Sequence, residues 1–175
     1  MTAIPDDAHI LIRIGGHPEA AGQIGRFVAC FASLELALWE LYARVLDKDT
    51  GSTIQLLGGI QSFVHKMAAV ERYLPSSKLP GKEKCITIFS KAKQINGFRN
   101  NLMHGIYVQH ADGSLWVYAG RTDPTKNNGQ EIKLTSTVTQ DKANEAANLA
   151  KEIFVTFFGM IPSSEDFPEV TLLRK

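Results

Sequence analysis

The chain has 175 residues, 44% of them hydrophobic, and a formal net charge of +1. That is enough apolar material for one globular domain with a buried core, and the near-neutral balance excludes a polycation that holds nucleic acid by bulk charge. Its two cysteines, Cys30 and Cys85, have no close partners, which excludes a zinc motif and a disulfide framework and fits a reducing compartment.

The opening stretch MTAIPDDAHI has early acids and no basic segment leading into an apolar one, so it does not read as a secretory signal. No apolar run reaches the roughly eighteen residues of a membrane span, and the expected location is cytoplasmic. Residues 9–14, HILIRI, read as a short strand or apolar arm. From Pro18 to Leu46 apolar residues recur at three and four, which predicts a first helix over 18–46. A second helix is expected over 52–74, with Gly58 and Gly59 kinking it or admitting another backbone. PSSKLPG is a loop, and a third helix follows over 82–104, with Cys85, Ile88, Phe89, Ala92 and Ile95 inward and Gly105 as the C′ residue that stops it.

The period then changes to two. IYVQHADGSLWVYAG reads as a hairpin turning at Asp112-Gly113, and EIKLTST as a third strand. Thr139 looks like the N-cap of a last helix over 140–160, after which 161–175 forms an extended tail. The expected fold is mainly α: an up-and-down bundle of four principal helices in one domain over 1–175, with an antiparallel β insert at 106–136 before the last helix.

Charge is uneven along this layout. Residues 78–104 hold 6 Lys/Arg against 1 Asp/Glu, whereas the segments on either side are each net −2. Lys82, Lys84, Lys91 and Lys93 are therefore the candidate RNA-attracting groups, although a solvated lysine face is the plainer reading of such a run. The third helix ends in FRNNLMHGIY, which sets Arg99, Asn100, Asn101 and His104 within six positions. On a wheel at about 100° per residue Arg99 falls on the core side, with Asn96 and Asn100 at its edge. Asn100 and His104 are four apart and so neighbours. On the first helix Glu35 also points inward. Either the two charges form a buried bridge that fixes helix docking, or Arg99 and His104 serve a phosphate, one as a fixed cationic fork and the other as a group that titrates near neutrality. His104, His110 and Asp112 straddle a helix end and a turn with no HExxH or CxxC, so neither a metal nor a cofactor is expected.

The sequence RNNLMH resembles the active-site motif of the HEPN superfamily, in which Arg and His lie four to six residues apart and a polar residue commonly follows the Arg. The likeness extends in layout over about residues 20–160, with the motif at the end of a long third helix and a helix after it. The resemblance implies a helical bundle that dimerises through the motif helix, here 82–104. It implies a metal-independent endoribonuclease, a toxin or defence protein that leaves a 2′,3′-cyclic phosphate, with Arg99, Asn100 and His104 as its catalytic groups and RNA, an antitoxin or a regulatory protein as partners. Other members are non-catalytic binding modules, and that is the alternative here, with Arg99–Glu35 as a structural ion pair. In members whose antitoxin modifies a tyrosine, that tyrosine stands two positions after the His. Here Ile106 holds that place and Tyr107 is one further on. Glu35, Asn96, Asn101 and Tyr107 complete the candidate set as supporting residues.

Overall fold

Helix α1 occupies Pro18–Leu46, the span its periodicity predicts. Its register buries Phe27, Leu34, Leu38 and Leu41 completely or nearly so. Asp47 ends it in the left-handed region, at φ 53°, a conformation its short polar side chain tolerates. The computed structural model describes residues 9–11, 16–118 and 131–160; the 161–175 tail and the loop RTDPTKNNGQ lie outside them.

The expected 52–74 helix is two helices. Helix α2 runs Thr50–Gly58 and α3 runs Phe63–Glu71, followed by a 3-10 turn at Leu74–Ser76. Two consecutive glycines each disfavour helix by about 1 kcal/mol relative to alanine. Ser62 then starts α3 afresh, its hydroxyl accepting the His65 backbone N–H. At the head of α2, Asp49 accepts the Ser52 N–H at 2.8 Å and the Ser52 hydroxyl at 2.6 Å.

Helix α4 is Lys84–His104. Cys85, Ile88, Phe89, Ala92 and Ile95 are buried as expected, and the stripe continues through Phe98 and Leu102. The core line thus passes beside Arg99. Four strands follow one order, β1 (His9–Leu11), β2 (Ile106–Gln109), β3 (Leu115–Tyr118) and β4 (Glu131–Leu134), each antiparallel to the next. Residues 9–11 pair with 107–109, so the N-terminal segment is an edge strand of the insert. The hairpin turns where expected. Gly113 takes φ +80°, its N–H bonds the His110 carbonyl at 2.9 Å, and Asp112 accepts the Ser114 N–H.

Helix α5, Ser136–Phe158, starts earlier than predicted because its cap is Thr135, whose hydroxyl accepts the Val138 N–H at 3.2 Å. Thr139 is instead buried in the first turns, its hydroxyl bonded to the Thr135 carbonyl. Ala143, Ala146 and Ala150 are buried on α5, small enough to bring it close along α1. One continuous cluster of buried side chains joins α1, α3, α4, α5 and Val117 of β3. The architecture is mainly helical with a small antiparallel sheet before the last helix. No described helix is long and apolar enough to cross a membrane.

Candidate functional site

The last two turns of α4 carry the motif, and their position depends on Gly105. Gly105 stops α4 as expected, but in an extended conformation, at φ −78° and ψ 161°, with its N–H bonded to the Asn101 carbonyl at 2.9 Å. Glycine is required for a different reason. A Cβ there would stand 2.3 Å from Val117 Cγ1 and 2.4 Å from the Asn101 carbonyl oxygen. The helix end is therefore pressed directly against β3. Tyr107 fastens it further, its hydroxyl donating to the Leu102 carbonyl, one of the groups a helix terminus leaves without an intrahelical partner. Tyr107 thus serves as a staple, and burial raises its phenol pKa.

Arg99 is half-buried and Asn100 and His104 are exposed. Arg99 Nη1 donates to Asn100 Oδ1 at 3.2 Å, and its guanidinium carbon stands 6.0 Å from the Phe31 ring centroid on α1. Asn100 and His104, four apart, are neighbours on one flank of α4, and Arg99 stands about 100° round from Asn100 toward the core. Asn96 is buried rather than at the edge, with 5% exposure, and Asn101 is half-buried.

The buried bridge between Arg99 and Glu35 does not form. No ion pair within 4.0 Å involves either residue among those described, and Glu35 is exposed along much of its length. The two are still close enough to feel each other. Partial burial raises the Glu35 carboxyl pKa, and the positive charges of Arg99 and Lys66 offset part of that rise. The wheel misplaced Glu35 because the core stripe of α1 runs through Leu34, Leu38 and Leu41, leaving residue 35 on its shoulder.

Three of the four expected RNA-binding lysines already have partners. Lys82 donates to the Pro75 and Ser77 carbonyls, both at 2.8 Å. Lys91 pairs with Glu152 of α5 at 3.1 Å and Lys93 with Glu71 of α3 at 2.6 Å. Lys91 and Lys93 thus lie on opposite flanks of α4, and the four lysines do not form one stripe. Lys84 is exposed.

Sequence reasoning missed a second polar group beside the motif. Glu35, Trp39 and Tyr42 of α1, Gln61 of the α2–α3 break, and Phe63 and Lys66 of α3 line a small cavity. Lys66 Nζ lies 5.2 Å from the Trp39 ring centroid, a cation on an aromatic face. The Tyr42 hydroxyl is buried and has no hydrogen-bond partner among the described residues. Burial raises its phenol pKa well above the usual range, and the charges of Glu35 and Glu71 add to the rise. The available signal was the 35, 39, 42 spacing on one helix face, hidden because Tyr42 also fits the apolar stripe.

Among the described residues, no group of three or more His, Cys, Asp or Glu is placed to hold a metal ion. No protein-family model matches the chain, no curated protein matches it, and no solved structure matches its fold.

Proposed function

We propose that this chain is a metal-independent endoribonuclease of the HEPN kind, acting as a homodimer in a toxin or defence role. The observation that carries this reading is the flank of α4. A half-buried guanidinium with no carboxylate within 4.0 Å among the described residues is bonded to the Asn100 carboxamide, and the exposed His104 imidazole follows one turn on from that carboxamide. An arginine not held by a carboxylate keeps its planar donor fork for phosphate oxygens.

In the reaction, a ribose 2′-oxygen attacks the adjacent phosphorus and the bond to the 5′-oxygen breaks. His104 takes the 2′-hydroxyl proton, and a protonated imidazole returns a proton to the departing 5′-oxygen. Arg99 stabilises the charge on the pentavalent phosphorus. Asn100, bonded to Arg99, fixes the plane of the guanidinium. The products are a 2′,3′-cyclic phosphate and a 5′-hydroxyl. A second copy facing the first across a two-fold axis supplies a second His104. Exposed Met103 and Ile106 beside the motif, and exposed Val28 on α1, supply apolar surface for that contact.

The test is cleavage of RNA by the purified protein in EDTA. R99A and H104A, both folded, each abolish cutting. Cleavage that needs a divalent ion, or that survives both substitutions, sinks the proposal. The alternative, a non-catalytic dimerisation or partner- or RNA-binding module, predicts a folded protein that does not cut RNA; the Arg99–Glu35 ion pair it was to be braced by is not formed among the described residues.

A further inference from the structure

The cavity beside the motif has a volume of about 60 Å³. An apolar cavity of roughly 150 Å³ is what a benzene ring occupies, and one water in bulk takes about 30 Å³. The space is therefore too small for an aromatic ring, but it accepts the hydrogen-bonding edge of one. Its polar groups are unusually well defined. Lys66 and the Gln61 amide are donors, and the Glu35 carboxylate is an acceptor with no ion-pair partner among the described residues. Trp39 and Phe63 form aromatic walls.

The cavity adjoins the proposed cleavage site. Phe63 packs on Phe31 with ring centroids 5.6 Å apart, and Phe31 lies under the Arg99 guanidinium. Glu35 lies within reach of the Arg99 charge. A base next to a phosphate held by Arg99 would thus enter here.

The four bases present different edges. Guanine has two adjacent N–H donors, at N1 and N2, next to an acceptor at O6. Adenine and cytosine each offer one amino group beside a ring acceptor, and uracil offers one N–H between two carbonyls. Only guanine meets a carboxylate with two parallel N–H···O bonds, the doubled arrangement that also makes guanidinium–carboxylate pairs selective. The Lys66 ammonium, which also lines the cavity, is then a donor for its O6. Single-stranded RNA is commonly read in this way, through unstacked bases hydrogen-bonded along their Watson–Crick edges.

We infer that the cavity between Glu35 and Lys66 reads the Watson–Crick edge of a guanine in single-stranded RNA, beside the phosphate held by Arg99. Placing that guanine next to a cleaved phosphate rests on the ribonuclease reading; the base preference itself does not. A site built to bond a base edge rejects analogues that leave its groups unpaired.

The test uses uncleavable trinucleotides, with every ribose 2′-O-methylated and G, A, C or U at the centre, titrated calorimetrically into the full chain. The G-centred probe binds at least tenfold tighter than the other three. E35Q, which replaces one acceptor oxygen by an amide that opposes the guanine N–H groups, removes this preference. K66M, which removes the ammonium that meets O6, reduces it. Equal affinity for the four probes, or a preference for G unchanged in E35Q, overturns the inference. Cleavage of a mixed-sequence RNA separates the two readings. Cutting without guanine bias overturns the cavity reading alone, whereas G-selective binding by a protein that does not cut overturns the nuclease alone.

Discussion

Gly105→Ala is the sharpest test of how the motif is held. The added methyl group would lie 2.3 Å from Val117 Cγ1 and 2.4 Å from the Asn101 carbonyl oxygen, both inside contact distance. Val117 is fully buried in the central cluster, and the Asn101 carbonyl belongs to the last turn of α4. Relief therefore requires the helix end and β3 to separate. Overpacking of this type costs about 1–3 kcal/mol and sometimes more; with backbone on one side, about 3 kcal/mol is expected. In a chain of this size each kcal/mol moves Tm by roughly 2–4 °C, so Tm falls by about 6–12 °C. Gly97, in the exposed face of the same helix with nothing within 4 Å of its virtual Cβ, is the control. G97A stabilises by about 0.5–1 kcal/mol, the ordinary helix-propensity gain. Urea titration of both variants measures the pair. A G105A loss under 1 kcal/mol would refute the reasoning that β3 presses directly on the helix terminus.

Three further outcomes are expected. Y42F raises stability by about 1 kcal/mol, since it removes a buried hydroxyl that has no partner among the described residues; a loss in chemical denaturation would show that the hydroxyl is bonded after all. E35Q is at least as stable as the wild type at pH 7. The folded Glu35 pKa is raised, so this group's favourable contribution is present in acid and is lost as pH rises through the folded pKa. The advantage of E35Q therefore shrinks as pH falls below the ordinary carboxyl range, whereas a strongly destabilised E35Q in thermal melts at pH 7 would restore the buried bridge. T135A, which removes the α5 cap, costs about 1 kcal/mol, measured by the same titration.

The helical periods of α1 and α4 placed both helices within two residues of their observed ends, because each carries an apolar stripe with few exceptions. The hairpin was legible for a similar reason: Asp112-Gly113 is a turn pair with a mechanism. The 52–74 segment was not. Its apolar residues keep a helical spacing on both sides of the glycine pair, and periodicity alone does not show that Ser62 begins a new helix. At the candidate site, RNNLMH gave the residues but not their partners. Whether Lys93 meets Glu71 or Lys91 meets Glu152 depends on which helices become neighbours, and no local pattern encodes that. Gly105 was legible as the residue that ends the helix, whereas the close approach of β3 that excludes a side chain there was not.

The interruption between α2 and α3 has a consequence for how this surface can change. Gln61 sits in the break and Phe63 and Lys66 follow within two turns, so one side of the cavity hangs on four residues of non-helical chain. The opposite side is α1, fixed by the core it shares with α4 and α5. Lengthening or re-aiming the break resets which side chains face Glu35 and Tyr42 without moving Arg99 or His104. The fold thereby separates a constant part, the end of α4 that carries Arg99 and His104, from an adjustable wall built on the break.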